Sequence, residues 1–133
     1  MKQKLLPFIL IFPLLSVASY FSDGMRAYKQ GNYKEAKAQF EQAIEEEGSE
    51  QANFFLGLLY LKGMGVERDI SAAKRFLAKA AEAGNARAKC YLAEAYLLQN
   101  QSDKQVALKL LKEGKNAGAS ECLEIATTYK IPL

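Results

Sequence analysis

One turn of a predicted helix carries the residues best suited to covalent chemistry, Ser71-Ala72-Ala73-Lys74. Side chains three apart share a helix face, so an uncharged lysine amine there could take the serine proton for acyl transfer. The Ser-Asp-Asn and Lys-Thr-Gly segments that complete such a site are missing, and a four-residue pattern arises readily by chance. The chain has no histidine, which removes the usual general base and the commonest metal ligand. Neither Cys90 nor Cys122 therefore has an imidazole to activate it. Gly63-Met64-Gly65 lies between helical patterns rather than after a strand, and it lacks the rest of either phosphate-binding loop. No catalytic residue, metal or cofactor is expected from these residues. An enzyme of cell-wall or β-lactam chemistry is the alternative.

The elements that must hold these residues follow from self-similarity. Gly48-Ser49-Glu50-Gln51-Ala52 is answered 36 residues later by Gly84-Asn85-Ala86-Arg87-Ala88, and Leu56-Gly57-Leu58-Leu59-Tyr60 by Leu92-Ala93-Glu94-Ala95-Tyr96. The stretch from Ala73 to Gly84 returns 34 residues later, from Ala107 to Gly118. A period in the thirties marks stacked helical hairpins, none able to bury its apolar face alone. The expected fold is all-α: a short α/α solenoid of about three hairpins with a C-terminal capping helix.

Punctuation residues place the elements. Gly31 and Asn32 break the first two helices, with Asn32 and Glu35 in capping-box spacing. Gly48 ends the second, and Ser49 caps a third over Glu50–Lys62. Asp69 caps a fourth over Ile70–Ala83, Gly84-Asn85 leads into Ala86–Leu98, and Asp103 caps Lys104–Asn116. A seventh helix, Ser120–Lys130, stops before Pro132, with Leu123, Ile125, Ala126 and Tyr129 expected to close the stack. Glu45-Glu46-Glu47 sits at a helix C-terminus, where the macrodipole disfavours it, and reads as solvated surface.

The first segment, Met1–Ser19, has two lysines, an apolar run from Leu5 to Val17 and small residues at Ser16-Val17-Ala18, the order of a secretory signal peptide. Its run of about 13 residues is short of the ~20 that a spanning helix needs. The expected organisation is a signal over 1–19 and a repeat domain over 20–133, with a periplasmic or secreted product. Membrane contact is expected only if the segment stays as an anchor, in which case the repeats would assemble a membrane-bound complex. Cleavage after Ala18 removes Lys2 and Lys4 and leaves 16 basic against 15 acidic residues. That balance offers no bulk charge to attract nucleic acid.

The run LGLLYLKGMGVERD followed by AAKRFLAKAAEAGNARA resembles the Sel-one-like repeat family, a branch of the tetratricopeptide-type α/α repeats. Leu56, Gly57, Tyr60, Gly63, Gly65, Asp69, Ala73, Phe76, Ala80, Gly84 and Asn85 carry the resemblance. Gly24, Ala27, Tyr28, Gly31, Tyr33, Ala36 and Phe40 are similar to a plain tetratricopeptide unit. The third repeat departs from the pattern, with Ala93 for the small glycine and no loop glycines. The resemblance implies an adaptor that binds a protein or peptide along the concave wall of first helices. Here that groove would include Tyr28, Phe54, Leu58, Leu61, Lys62, Arg87, Glu94 and Leu98. Burial of several of these under the neighbouring repeat is the competing expectation.

Cys90 and Cys122 fall near equivalent places in successive first helices. Such helices lie about 8–10 Å apart axis to axis, while a disulfide needs Cα atoms within about 7 Å. Two buried thiols are expected, with a Cys90–Cys122 disulfide as the alternative.

Overall fold

The computed structural model describes residues 19–133; the expected signal segment, apart from Ser19, lies outside them. Within that range seven α-helices follow one another: α1 (Tyr20–Lys29), α2 (Tyr33–Glu47), α3 (Glu50–Lys62), α4 (Ile70–Glu82), α5 (Ala86–Gln99), α6 (Lys104–Asn116) and α7 (Glu121–Thr128). A 3-10 turn, Gln101–Asp103, joins α5 to α6. No strand occurs among the described residues. Each helix packs on the next, and α5 also packs on α7, so the chain is a short all-α repeat solenoid.

Local chemistry sets most of the boundaries. The side chains of Ser49, Asp69 and Asn85 accept from the N–H groups of Ala52, Ala72 and Ala88, at 3.3, 2.9 and 3.0 Å, each meeting one of the donors that a helix start leaves free. Two expected caps do not form. Asn32 makes no capping bond to α2; its amide donates instead to Gln30 Oε1 at 3.5 Å. Asp103 makes none to α6, because the chain enters that helix through the 3-10 turn and Asn100 accepts from Ser102 N–H at 3.1 Å. Glu47 is more than solvated surface. Its carboxylate accepts from Ser19 Oγ and from the N–H groups of Tyr20 and Phe21, which places its charge at the positive end of α1.

Close approach within the hairpins depends on residues without bulk. A β-carbon on Gly57 would come within 2.6 Å of Leu77 Cγ, and one on Gly24 within 2.7 Å of the Phe40 ring. The loop glycine Gly65 has φ of +69° and lies where a β-carbon would meet the backbone of Tyr33 and Lys34 at 2.6 Å. The α3–α4 loop is thereby seated on the start of α2. Tyr60 stacks on Phe76 with planes 7° apart, filling the space between the helices of this hairpin.

Three apolar clusters run through the stack. Ala27, Ala36, Phe40, Leu56 and Leu59 join the first hairpin to the second. Phe54, Leu58, Leu61, Leu77 and Leu92 join the second to the third. Cys90, Leu111, Ala119, Cys122, Ile125 and Ala126 close the C-terminal end. In α7 the cap is narrower than expected, because Leu123 is 47% exposed and turned out of it.

The pairing of the two cysteines corrects the expectation of thiols. Cys90 and Cys122 form a disulfide with Cα atoms 4.7 Å apart. Gly114 of α6 explains the approach: a β-carbon there would fall on Cys122 Sγ and lie 3.0 Å from Cys90 Sγ. The axis spacing of ordinary helices overstated the Cα distance for two residues directed at each other over a glycine.

Candidate functional site

The first helices of the successive hairpins are laced together by aromatic rings. Phe21 and Tyr28 of α1 meet Phe55 of α3 with ring centroids 6.0 and 5.3 Å apart. Phe54 of α3 meets Tyr91 of α5 at 5.9 Å. Two cations lie over this strip: the Arg87 guanidinium is 5.0 Å from the Phe54 ring and the Lys62 ammonium 5.4 Å from the Tyr91 ring. Each gains from the negative face of the ring below it. The strip continues to α7 through polar contacts. Arg87 Nε donates to Glu121, and the Tyr129 hydroxyl donates to Glu94 Oε1 at 3.3 Å.

The electrostatics make this face a set of donors. Burial, followed by the neighbouring Tyr33, pushes the Tyr28 phenol above its ordinary range. Burial also raises Tyr91, against the opposing pull of Arg87. Both phenols therefore stay protonated at neutral pH and able to donate. Glu121 is held below the usual carboxylate range, first by its own backbone N–H at the start of α7 and then by pairing with Arg87, although burial opposes both. No ion pair engages Lys62 among the described residues.

Of the eight residues expected to line a groove, Phe54, Leu58 and Leu61 are only 2%, 4% and 3% exposed. They are core residues beneath the face, because α5 packs over them, and a partner would touch what covers them instead. Lys62 and Arg87 are exposed, Tyr28 and Glu94 half-buried, and these four share the face. Leu98 is exposed at the far end of α5, outside the three apolar clusters. Tyr91 and Glu121 were missed, and Tyr129, expected to close the stack, also reaches Glu94. The repeat itself held the signal for Tyr91, since the 36-residue offset that relates the second and third repeats carries Phe55 onto Tyr91 and Phe54 onto buried Cys90.

Ser71 and Lys74 do not form a reactive pair. Lys74 Nζ donates to Gln99 Oε1 at 2.7 Å and lies 4.0 Å from the Tyr96 ring centroid. Ser71 Oγ accepts from Gln99 Nε2 at 3.4 Å. Gln99 thus takes up both groups, and Lys74 is engaged with Gln99 and the Tyr96 ring instead of with Ser71. Their role here is to join α4 to α5.

A stack of helical hairpins with an aromatic, donor-rich first-helix face is the architecture of a helical repeat protein. Residues 50–85 match the family model of the Sel1 repeat, a stretch that takes in α3, the glycine loop, α4 and the turn into α5. That stretch is a Sel1-like repeat within an all-helical chain, and repeats of this kind generally serve as scaffolds for protein–protein interaction. No curated protein matches the chain.

Proposed function

We propose that this protein is an exported repeat scaffold that binds a protein or peptide along its first-helix face, as an adaptor or assembly factor. The observation that carries the reading is the strip in which Tyr28 packs on Phe55, Arg87 and Tyr91 pack on Phe54, and Lys62 lies over the Tyr91 ring. Tyrosine and arginine over a packed apolar floor are the residues on which binding energy concentrates at protein interfaces. Three features support export. The N-terminal segment has the order of a signal peptide. The Cys90–Cys122 disulfide suits an oxidising compartment. Cleavage after Ala18 would keep Ser19, whose side chain accepts from Ser22 N–H at 3.4 Å as the cap of α1.

Affinity capture from the native cell envelope tests the binding reading. Wild-type protein should retain a specific partner that Lys62→Glu and Tyr91→Ala variants lose, with circular dichroism showing both variants folded. Folded variants that capture every protein the wild type captures would refute a role for this face. Intact-mass measurement of the exported protein tests the address, with a start close to Ser19 or Tyr20 expected.

A further inference from the structure

A second surface feature lies away from the aromatic strip, at the C-terminal end of the stack. A cleft of about 380 Å³ opens between the end of α5, the start of α6 and the segment after α7, a volume within the usual range for small-ligand sites. Leu97, Leu108, Tyr129 and Ile131 form its apolar walls, and Lys104 and Lys130 stand in its lining, with no aspartate or glutamate among the lining residues. The Tyr129 hydroxyl is directed to Glu94, so what this residue offers the cleft is its ring.

The two cations, Lys104 and Lys130, are not held in ion pairs among the described residues. Lys104 is the first residue of α6, next to the N-cap Asp103, which makes no side-chain capping bond. Lys130 has φ of +54°, the one non-glycine residue in the left-handed region among those described. Glycine adopts that conformation without strain, so the backbone there does not itself call for a lysine.

We propose that this cleft binds an aliphatic carboxylate, with the alkyl part between Leu97, Leu108, Tyr129 and Ile131 and the carboxylate at Lys104 and Lys130. Apolar walls select the chain, and two unpaired ammonium groups at one site select a single compact anion over an alcohol or a cation. Two sources supply this chemistry, a free fatty acid and the C-terminal residue of a peptide that ends in an aliphatic side chain. The cleft shares Tyr129 with the first-helix strip but none of the cations of that face, and its test does not rest on the scaffold reading.

Isothermal titration of the mature protein with decanoate, hexanoate and decanol, each below its micelle concentration, and with the tripeptide Ala-Ala-Leu as free acid and as amide, decides the matter. Buried methylenes should each raise affinity roughly fourfold, so hexanoate should bind at least tenfold more weakly than decanoate. Decanol and the peptide amide should likewise lose at least tenfold against the corresponding acids. Lys130→Gly should keep or raise the thermal midpoint while cutting affinity for the bound acid at least fivefold, which separates loss of a ligand contact from loss of fold. Lys104→Ala should show a similar loss and Lys104→Arg should restore most of it, whereas Lys34→Ala, at an exposed position of α2, should leave affinity unchanged. Binding of decanoate alone assigns the fatty acid, and binding of the peptide acid alone assigns a peptide terminus. If neither acid binds, if decanol matches decanoate, or if the Lys104→Ala, Lys130→Gly double variant binds as the wild type does, the proposal is wrong.

Discussion

Cys90 and Cys122 are bonded across Gly114, so that the last helix is tied covalently to the first helix of the third hairpin. The two cysteines are 32 residues apart, and closing a loop of that size in the unfolded chain contributes about 3–4 kcal/mol in the chain-entropy account. Helix α7 spans only eight residues, too few to be stable alone, so much of its hold on the stack passes through this bond and the apolar contacts around it. Non-reducing peptide mapping should recover Cys90 linked to Cys122. Replacing both by alanine should lower the unfolding free energy by about 3 kcal/mol, read from denaturant midpoints.

The glycine beneath the bond makes a sharper test. A methyl group at position 114 would meet both sulfurs and the carbonyl oxygen of Ala86. Gly114→Ala should destabilise the oxidised protein by about 1–3 kcal/mol, as overpacked cores do. In the background that lacks both cysteines the same substitution should cost less, because two of its three close neighbours have gone. Equal costs in the two backgrounds would show that the sulfurs do not set the packing at Gly114.

Gly57 reports on the register of the hairpins. Gly57→Leu drives a side chain into Leu77 and should destabilise by roughly 1–3 kcal/mol or more. Lys34→Ala, at an exposed position of α2, should change stability by less than about 0.5 kcal/mol. Chemical denaturation of the two variants compares them directly.

The legibility of this chain follows the range of each interaction. Caps and loop glycines act within a few residues, so Ser49, Asp69, Asn85 and Gly48 were readable in place, and α3 and α6 have the bounds their flanking residues predict. The failures at Asn32 and Asp103 are also local, but there a competing bond to Gln30 or a 3-10 entry satisfies the backbone equally well. Relations between helices were harder. In α3 the run from Phe54 to Leu61 has no charged or amide residue, so periodicity could not tell which residues face a partner and which lie under α5. Phe54, Leu58 and Leu61 follow the competing expectation, burial under the neighbouring repeat. The disulfide depended on how closely α7 settles over Gly114, a distance that sequence spacing does not contain. The pairing of Arg87 with Glu121 likewise joins helices 34 residues apart in the chain.

Glu121, held by its own backbone N–H and then by Arg87, carries a pH signature. Glu121 has a folded-state pKa below the usual carboxylate range, so the stability it contributes is present above the unfolded value of about 4.3 and is lost as pH falls through the lower folded value. Glu121→Gln should therefore be less stable than the wild type near neutrality, and the gap should close in that acid window. Arg87 is half-exposed, so the difference should be modest, about 0.2–1 kcal/mol, and smaller at high salt. Midpoints measured from neutral pH down to pH 2 at two ionic strengths check both trends.

Phe54 and Tyr91 should divide folding from binding, although their rings lie in contact. Phe54 is almost fully buried, and its replacement by alanine leaves a cavity between α3 and α5, costing about 3–5 kcal/mol of stability. Any loss of partner capture by Phe54→Ala then follows the fraction folded. Tyr91 is half-buried, with its phenol kept protonated by its surroundings and Lys62 over its ring. Tyr91→Ala should cost less stability yet weaken partner binding by about 2 kcal/mol or more, as truncation of a central aromatic anchor does. Tyr91→Phe separates the parts of that side chain: retained affinity would assign the contact to the ring, and a loss of about 1 kcal/mol would assign a hydrogen bond to the hydroxyl. If stabilities and affinities of the Phe54 and Tyr91 variants fall together in proportion, the face contributes to binding only by being folded, and the partner must dock elsewhere on the stack.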